Sequence, residues 1–274
     1  MKNISLGQYY PADSFIHSFD GRTKILLATM YIISVFFCKS LSSFSFLLAV
    51  TFVIVLLSKI PFKIVFRSLR PVVFILIFTF VINVFLTKGE GEPFLDWWIF
   101  EIYIDGIWNA LFIAIRILCL ILSSSIFISF TTTPIQLTYS IESLLSPLKR
   151  IKVPVHDFAM MMSIVLRFIP ALSDETEKIM TAQKARGADF ESGSLISRAK
   201  ALIPILIPLF VSAFRRSDEL ATAMECRCYH GGNGRTRMTV TKMKTADYAA
   251  LFVMLIIAVL LILLNLVAWG YIMQ

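Results

Sequence analysis

Apolar residues in this chain fall in long blocks instead of the mixed patterns of a water-soluble fold. The blocks are 25–38, 41–58, 71–87, 106–130 and 249–271. A helix needs roughly 20 apolar residues, at about 1.5 Å each, to cross ~30 Å of hydrocarbon. The last two blocks reach that length alone and the others reach it with their flanks. The pattern predicts an all-α polytopic membrane protein with about five transmembrane helices.

Residues 131–246 have a different character. Two apolar pieces, 158–172 and 201–214, are short and are punctuated by Pro170, Pro204 and Pro208. Runs of about 10–14 apolar residues suit buried or interfacial helices better than spans. Thr133-Pro134 reads as an N-cap with proline in the first helical turn. An amphipathic helix should follow through Ile135, Leu137, Ile141, Leu144 and Leu145, and end at Pro147. Three regions are expected: 1–130 with the first four spans, 131–246 as long amphipathic helices at the inner membrane face, and 247–274 with the last span.

Composition agrees with the pattern. Hydrophobic residues make up 57% of the 274 and charged residues 16%, and mean hydropathy is +0.78. A soluble domain carries about 45–50% and 25%. A disordered chain, a secreted disulfide scaffold and an ordinary soluble enzyme are thereby excluded. The net charge of +8 is read as positive-inside bias and not as nucleic-acid binding. The first 24 residues have no apolar core, so the first span itself is the expected targeting signal.

Loop charge then sets a topology. Lys59, Lys63, Arg67 and Arg70 stand without an acid over 59–70, which assigns that loop to the cytoplasm. Glu90, Glu92, Asp96, Glu101 and Asp105 face a single Lys88 over 87–105, with Trp97 and Trp98 suited to an interfacial belt. That loop is assigned outside. Alternation puts the N-terminus inside, the Lys39 turn outside, 131–246 inside with 16 Lys/Arg, and the C-terminus outside, in a prokaryotic plasma membrane.

Two related motifs stand in 131–246: Ala182-Gln183-Lys184-Ala185-Arg186-Gly187 and Ala223-Met224-Glu225-Cys226-Arg227-Cys228. They align as A-x-x-[AC]-R-[GC], 41 residues apart, and each follows a Ser-Asp-Glu triplet, at 173–175 and 217–219. The triplets are read as starting or reinforcing helical turns. Small residues beside each arginine let another backbone approach, and a guanidinium there can grip a carboxylate or exposed carbonyls. A single such motif would be an ordinary helix ending, with a cation at the negative dipole end and a glycine cap. Two in one segment argue for docking.

These residues carry a resemblance. Gly7-Gln8-Tyr9-Tyr10-Pro11, Ser14, His17 and Asp20-Gly21-Arg22-Thr23-Lys24, the Thr131–Pro134 entry with Pro147-Leu148-Lys149, and the paired arginine motifs together resemble the transmembrane T component of energy-coupling factor (ECF) transporters of the ABC superfamily. The second motif departs from the family's usual Ala-Arg-Gly by reading Cys-Arg-Cys. The resemblance implies a scaffold that holds one or more membrane S components, which bind vitamins or metals, and docks on two cytoplasmic ATPase subunits. It implies that Arg186 and Arg227, flanked by Ala182, Ala185, Gly187, Ala223 and Glu225, are the coupling residues, and that ATP is bound by the partners and not by this chain.

The inventory fits a subunit without catalysis, metal or cofactor. There is no G-x-x-x-x-G-K-[ST]; Gly231-Gly232-Asn233-Gly234-Arg235-Thr236 lacks the lysine. His17, His156 and His230 form no H-E-x-x-H, the spans hold no Asp or His, and Cys226-x-Cys228 alone makes a weak soft-metal site. Cys38, Cys119, Cys226 and Cys228 imply no disulfide framework. Arg116 is the one clear charge within a span and should face protein or reach toward Asp105. The alternatives are a conventional ABC permease, disfavoured by two arginine-ended helices, and a self-sufficient transporter, disfavoured by the absence of a membrane repeat. A lipid-acting enzyme is more distant still.

Overall fold

A computed structural model describes residues 9–87, 95–97, 100–190, 192, 194–231 and 241–272. Eight α-helices carry the described chain: α1 (Gly21–Phe37), α2 (Leu41–Ser58), α3 (Phe62–Leu86), α4 (Ile104–Ser124), α5 (Pro134–Leu144), α6 (Val155–Ala185), α7 (Leu195–Cys226) and α8 (Thr245–Ile272). A short hairpin of β1 (Leu95–Trp97) and β2 (Phe100–Ile102) lies between α3 and α4. Glu90 and Glu92, from the acidic loop, lie outside the described residues.

Among the described residues six helices are long and apolar enough to cross a membrane: α2, α3, α4 with its π-helical extension to Phe130, α6, α7 and α8. The five expected spans differ from this set in two ways. The first, α1, has 17 residues, about 26 Å at the helical rise, and falls just short. The pieces 158–172 and 201–214 are not short helices but the apolar halves of α6 and α7, of 31 and 32 residues. Pro170, Pro204 and Pro208 lie inside those helices. A proline forfeits one backbone hydrogen bond, but it does not end a helix whose remaining turns continue on both sides. Likewise α3 starts at Phe62 and runs through Pro71, so Lys63, Arg67 and Arg70 are on helix and not in a loop.

By packing, Gly7–Ser143 with Thr241–Gln274 form one unit and Leu144–Val240 another; the sequence boundaries at 130 and 246 follow loop charge, a different criterion. The first unit is built on α1, α2, α4 and α8, with Tyr31, Val35, Phe44, Leu47, Ile126 and Leu261 almost wholly buried between them. The contacts fix the helix directions. Cys38, at the end of α1, accepts from Arg116 on α4 at 2.8 Å, and Asn265 on α8 holds the amides of Lys39 and Ser40 at 3.1 and 3.0 Å. At the opposite end, Asp247 at the start of α8 accepts from Asp20, the α1 N-cap, at 3.0 Å. Therefore α1 and α8 run parallel. Lys24 on α1 reaches the Thr131 carbonyl just beyond α4 at 2.7 Å, so α4 runs against them.

Two local signals fold as the residues dictate. Thr133 and Gln136 exchange side-chain-to-amide bonds of 3.3 Å each, a capping box that opens α5. Gly21 suits the close packing against α5, because a Cβ there would lie 2.1 Å from Ser140 Oγ and force that hydroxyl to turn away from its bond to the Gln136 carbonyl.

Candidate coupling surface

The second unit is dominated by α6 and α7, and both arginine motifs end its helices. Arg186 caps α6. The amide of Gly187 bonds to the Lys184 carbonyl at 3.0 Å, and that of Ala188 to Gln183 at 3.0 Å, with Gly187 at φ +88°. This is the Schellman ending, in which a left-handed residue after the cap lets two amides satisfy the last carbonyls. Arg227 caps α7 in the same way. The amide of Cys228 bonds to Glu225 at 2.9 Å, and that of Tyr229 to Met224 at 3.0 Å, with Cys228 at φ 55°. The Cys-Arg-Cys departure therefore leaves the turn unchanged; a cysteine occupies a conformation that glycine takes at lower cost.

Ala182, Ala185, Arg186 and Gly187 are exposed, and so are Ala223, Glu225, Cys226, Arg227 and Cys228. Neither guanidinium has a hydrogen-bond or ion-pair partner among the described residues. As caps they would need none, since the Schellman amides already satisfy the helix ends.

The motifs are not brought together. Over their contact α6 and α7 run antiparallel. Arg216 meets Glu175 at 3.0 Å, and a groove of about 340 Å³ is lined by Met160 and Ile164 of α6 and by Leu220, Met224, Arg227, Cys228 and Tyr229. Arg227 thus lies beside the first half of α6. Arg186 follows Ile164 by 22 residues on the same helix, about 33 Å at the helical rise. One contact patch cannot serve both arginines. The Ser-Asp-Glu triplets start no helix: both lie in helix interiors, and Glu175 is the α6 partner of Arg216.

A second polar group, in the first unit, escaped the sequence reading. Tyr10 donates its amide to the Phe130 carbonyl at 3.0 Å. His17 Nε2 meets the Tyr10 carbonyl at 2.9 Å and His17 Nδ1 meets Ser14 Oγ at 2.6 Å. A carbonyl can only accept, so Nε2 carries the proton and Nδ1 accepts from the hydroxyl. Burial lowers the imidazole's affinity for a second proton, more than the bond to Tyr10 raises it. Lys24, 2% exposed, donates to the His17 and Thr131 carbonyls at 3.2 and 2.7 Å. Asp247, 1% exposed, accepts from the amides of Asp20 and Lys244 at 3.0 and 2.7 Å. The residues that carry the N-terminal resemblance thus tie the pre-helix segment to the ends of α4 and α8. A charge just before the apolar block 249–271 was the available signal for Asp247.

Arg116 faces protein, as its desolvation cost requires. It donates to the Cys38 carbonyl and its guanidinium carbon lies 5.6 Å from the Phe44 ring centre. Its partner is a helix end, not Asp105. Among the described residues no group of three or more His, Cys, Asp or Glu could hold a metal ion.

Comparison with known proteins decides the family. A family model described as cobalt transport protein, CbiQ, matches residues 12–240. That range holds Ser14, His17 and Lys24 and both arginine ends. The chain belongs to the CbiQ/EcfT family. It is 47% identical over 270 residues to the energy-coupling factor transporter transmembrane protein EcfT of Clostridium kluyveri, covering 98% of this chain and 99% of that one. The protein of the same name from Ruminiclostridium cellulolyticum is 50% identical over 247 residues, covering 90% and 91%. That of Bacillus subtilis is 41% identical over 265 residues, covering 97% and 99%. The chain is thus a multi-pass transmembrane component of an energy-coupling factor transporter.

Proposed function

We propose that this chain is the scaffold and coupling subunit of an ATP-driven importer. It links two cytoplasmic ABC ATPase subunits to one or more membrane S components that bind vitamins or other micronutrients. ATP binds the ATPases, and the chain itself needs no cofactor. One observation carries the reading: two exposed arginines, unpartnered among the described residues, end two helices in the same Schellman turn, some 33 Å of helix apart. Two equivalent anchors held that far apart suit two equivalent partners.

In this reading Arg186 and Arg227 enter acidic or carbonyl-rich grooves, one on each ATPase. Ala182, Ala185 and Gly187, and at the second end Ala223, allow close approach, with Glu225 beside them on the exposed end of α7. Closure of the ATPases on ATP moves the helix ends, and the long α6 and α7 carry that motion to the S component. The exposed apolar residues Phe158, Met161, Val165, Ile207, Phe210 and Phe214 supply a face that lipid or the S component covers. The N-terminus, 59–70 and 131–246 face the cytoplasm, and the C-terminus faces outward.

Purification of the tagged chain from native membranes tests the reading. Two ATPase subunits and at least one small membrane protein are expected in stoichiometric amounts. Recovery of the chain with no ATPase, or with ATPase activity in the isolated chain, would overturn it.

A further inference from the structure

The two arginine motifs are 41 residues apart, and so are Glu175 and Arg216. Each lies 11 positions before its own arginine. The ion pair of 3.0 Å therefore joins equivalent positions of two equivalent helix ends. When equivalent positions meet across an antiparallel pair, an approximate two-fold axis passes through the contact. The register agrees: Ile164, 11 positions before Glu175, shares a groove with Arg227, 11 positions after Arg216. The position equivalent to Ile164 in α7 is Ile205, which is buried (4% exposed) among mostly exposed neighbours.

We propose that Glu175 and Arg216 are positioning residues that fix the register of α6 on α7, and so the separation of the two arginine ends. The proposal rests on the coupling function given above. The groove between the helices is lined by Met160, Ile164, Leu220 and Met224, apolar side chains that tolerate sliding by a turn; a charged pair at one point does not. Sliding by one residue would displace one tip by about 1.5 Å along the axis relative to the other. A rigid two-fold partner would then engage one arginine and miss the other. Neither residue touches an ATPase in this reading. They act by holding Arg186 and Arg227 where both can dock at once.

The test uses the full complex in native membranes. Ala171→Cys with Leu220→Cys, in a Cys226→Ser, Cys228→Ser background, reports the register by disulfide cross-linking, because each lies one turn from the ion pair and the pair sets them level with one another, and co-purified ATPase reports docking. Both partners are partly exposed, 36% and 29%, so each of Glu175→Gln and Arg216→Gln should lower the cross-link yield and ATPase recovery by about two- to five-fold, the range for a screened pair. The swap Glu175→Arg with Arg216→Glu should restore both to within about two-fold, because it keeps the pair and reverses its sense. Unchanged cross-linking in both single variants, or a swap no better than the singles at matched membrane level, overturns the proposal. Failure of the parent complex to bring down any ATPase would instead overturn the coupling function, while the cross-link arms would still read the register.

Discussion

Cys228 shows most clearly what a single residue does here. At φ 55° it sits where a side chain costs about 1 kcal/mol or more and glycine does not. Cys228→Gly should steady the end of α7 by about 0.5–1 kcal/mol after allowing for glycine's extra freedom when unfolded. Hydrogen exchange at the amides of Cys228 and Tyr229 should slow accordingly, and Gly187→Val should have the reverse effect at Ala188. Arg116 is a second case. Its bond to the Cys38 carbonyl is charge-assisted, so Arg116→Met should cost about 1.5–3 kcal/mol. Thermal unfolding in detergent should show the loss, with Arg116→Lys between the two because one donor survives. The sequence made this arginine conspicuous but not its partner. A carbonyl at a helix end carries no residue label, and only folding brings Cys38 to α4.

Among elements, the pre-helix segment has a stability that depends on pH. His17 is held neutral, with its affinity for protons lowered by burial. A base weakened in the folded state is protonated first when unfolded, so stability is full above the ordinary value of 6.5 and falls as pH drops through it. Limited proteolysis between residues 9 and 20 should therefore quicken below pH 6.5, and His17→Gln should flatten that dependence. A profile unaltered by the substitution would remove His17 from the account. The elements themselves were largely legible. Blocks of apolar residues fix α2, α4 and α8, and Thr133-Pro134 marks the start of α5. The exceptions, α6 and α7, share one cause. Local reading treats Pro170, Pro204 and Pro208 as stops, whereas in a long helix the turns on either side keep the geometry despite one missing donor. The Schellman turn at Cys228 was hidden for a similar reason, since the left-handed position is set by the amides of 228 and 229 and not by the identity of the residue.

At the scale of the whole molecule, the shared contacts give the helix directions in the first unit, and the proposed topology takes their sense from loop charge. In that topology Ser42, beside the Lys39 turn, should label only from outside when changed to cysteine, and Lys63, at the start of α3, only from the cytoplasm. The reverse pattern would invert the topology. The candidate site was legible as two motifs but not as an arrangement. The 41-residue repeat is visible along the chain, yet only the antiparallel packing shows that Glu175 and Arg216 meet and that the arginines lie far apart. That separation bears on the central claim, because helix-capping residues and docking anchors predict different losses.

The direct measurement is ATPase recovery with Arg186→Glu, Arg227→Glu in the tagged chain. As anchors in desolvated grooves, these charges reversed should cost about 2–5 kcal/mol each, chiefly as faster dissociation. Membrane insertion should be unchanged, the ATPases should be lost on purification, and Arg→Lys variants should retain an intermediate amount because lysine keeps the charge without the planar fork. A double Glu variant that still brings down stoichiometric ATPases would contradict the account and leave both arginines as helix caps worth at most about 1 kcal/mol.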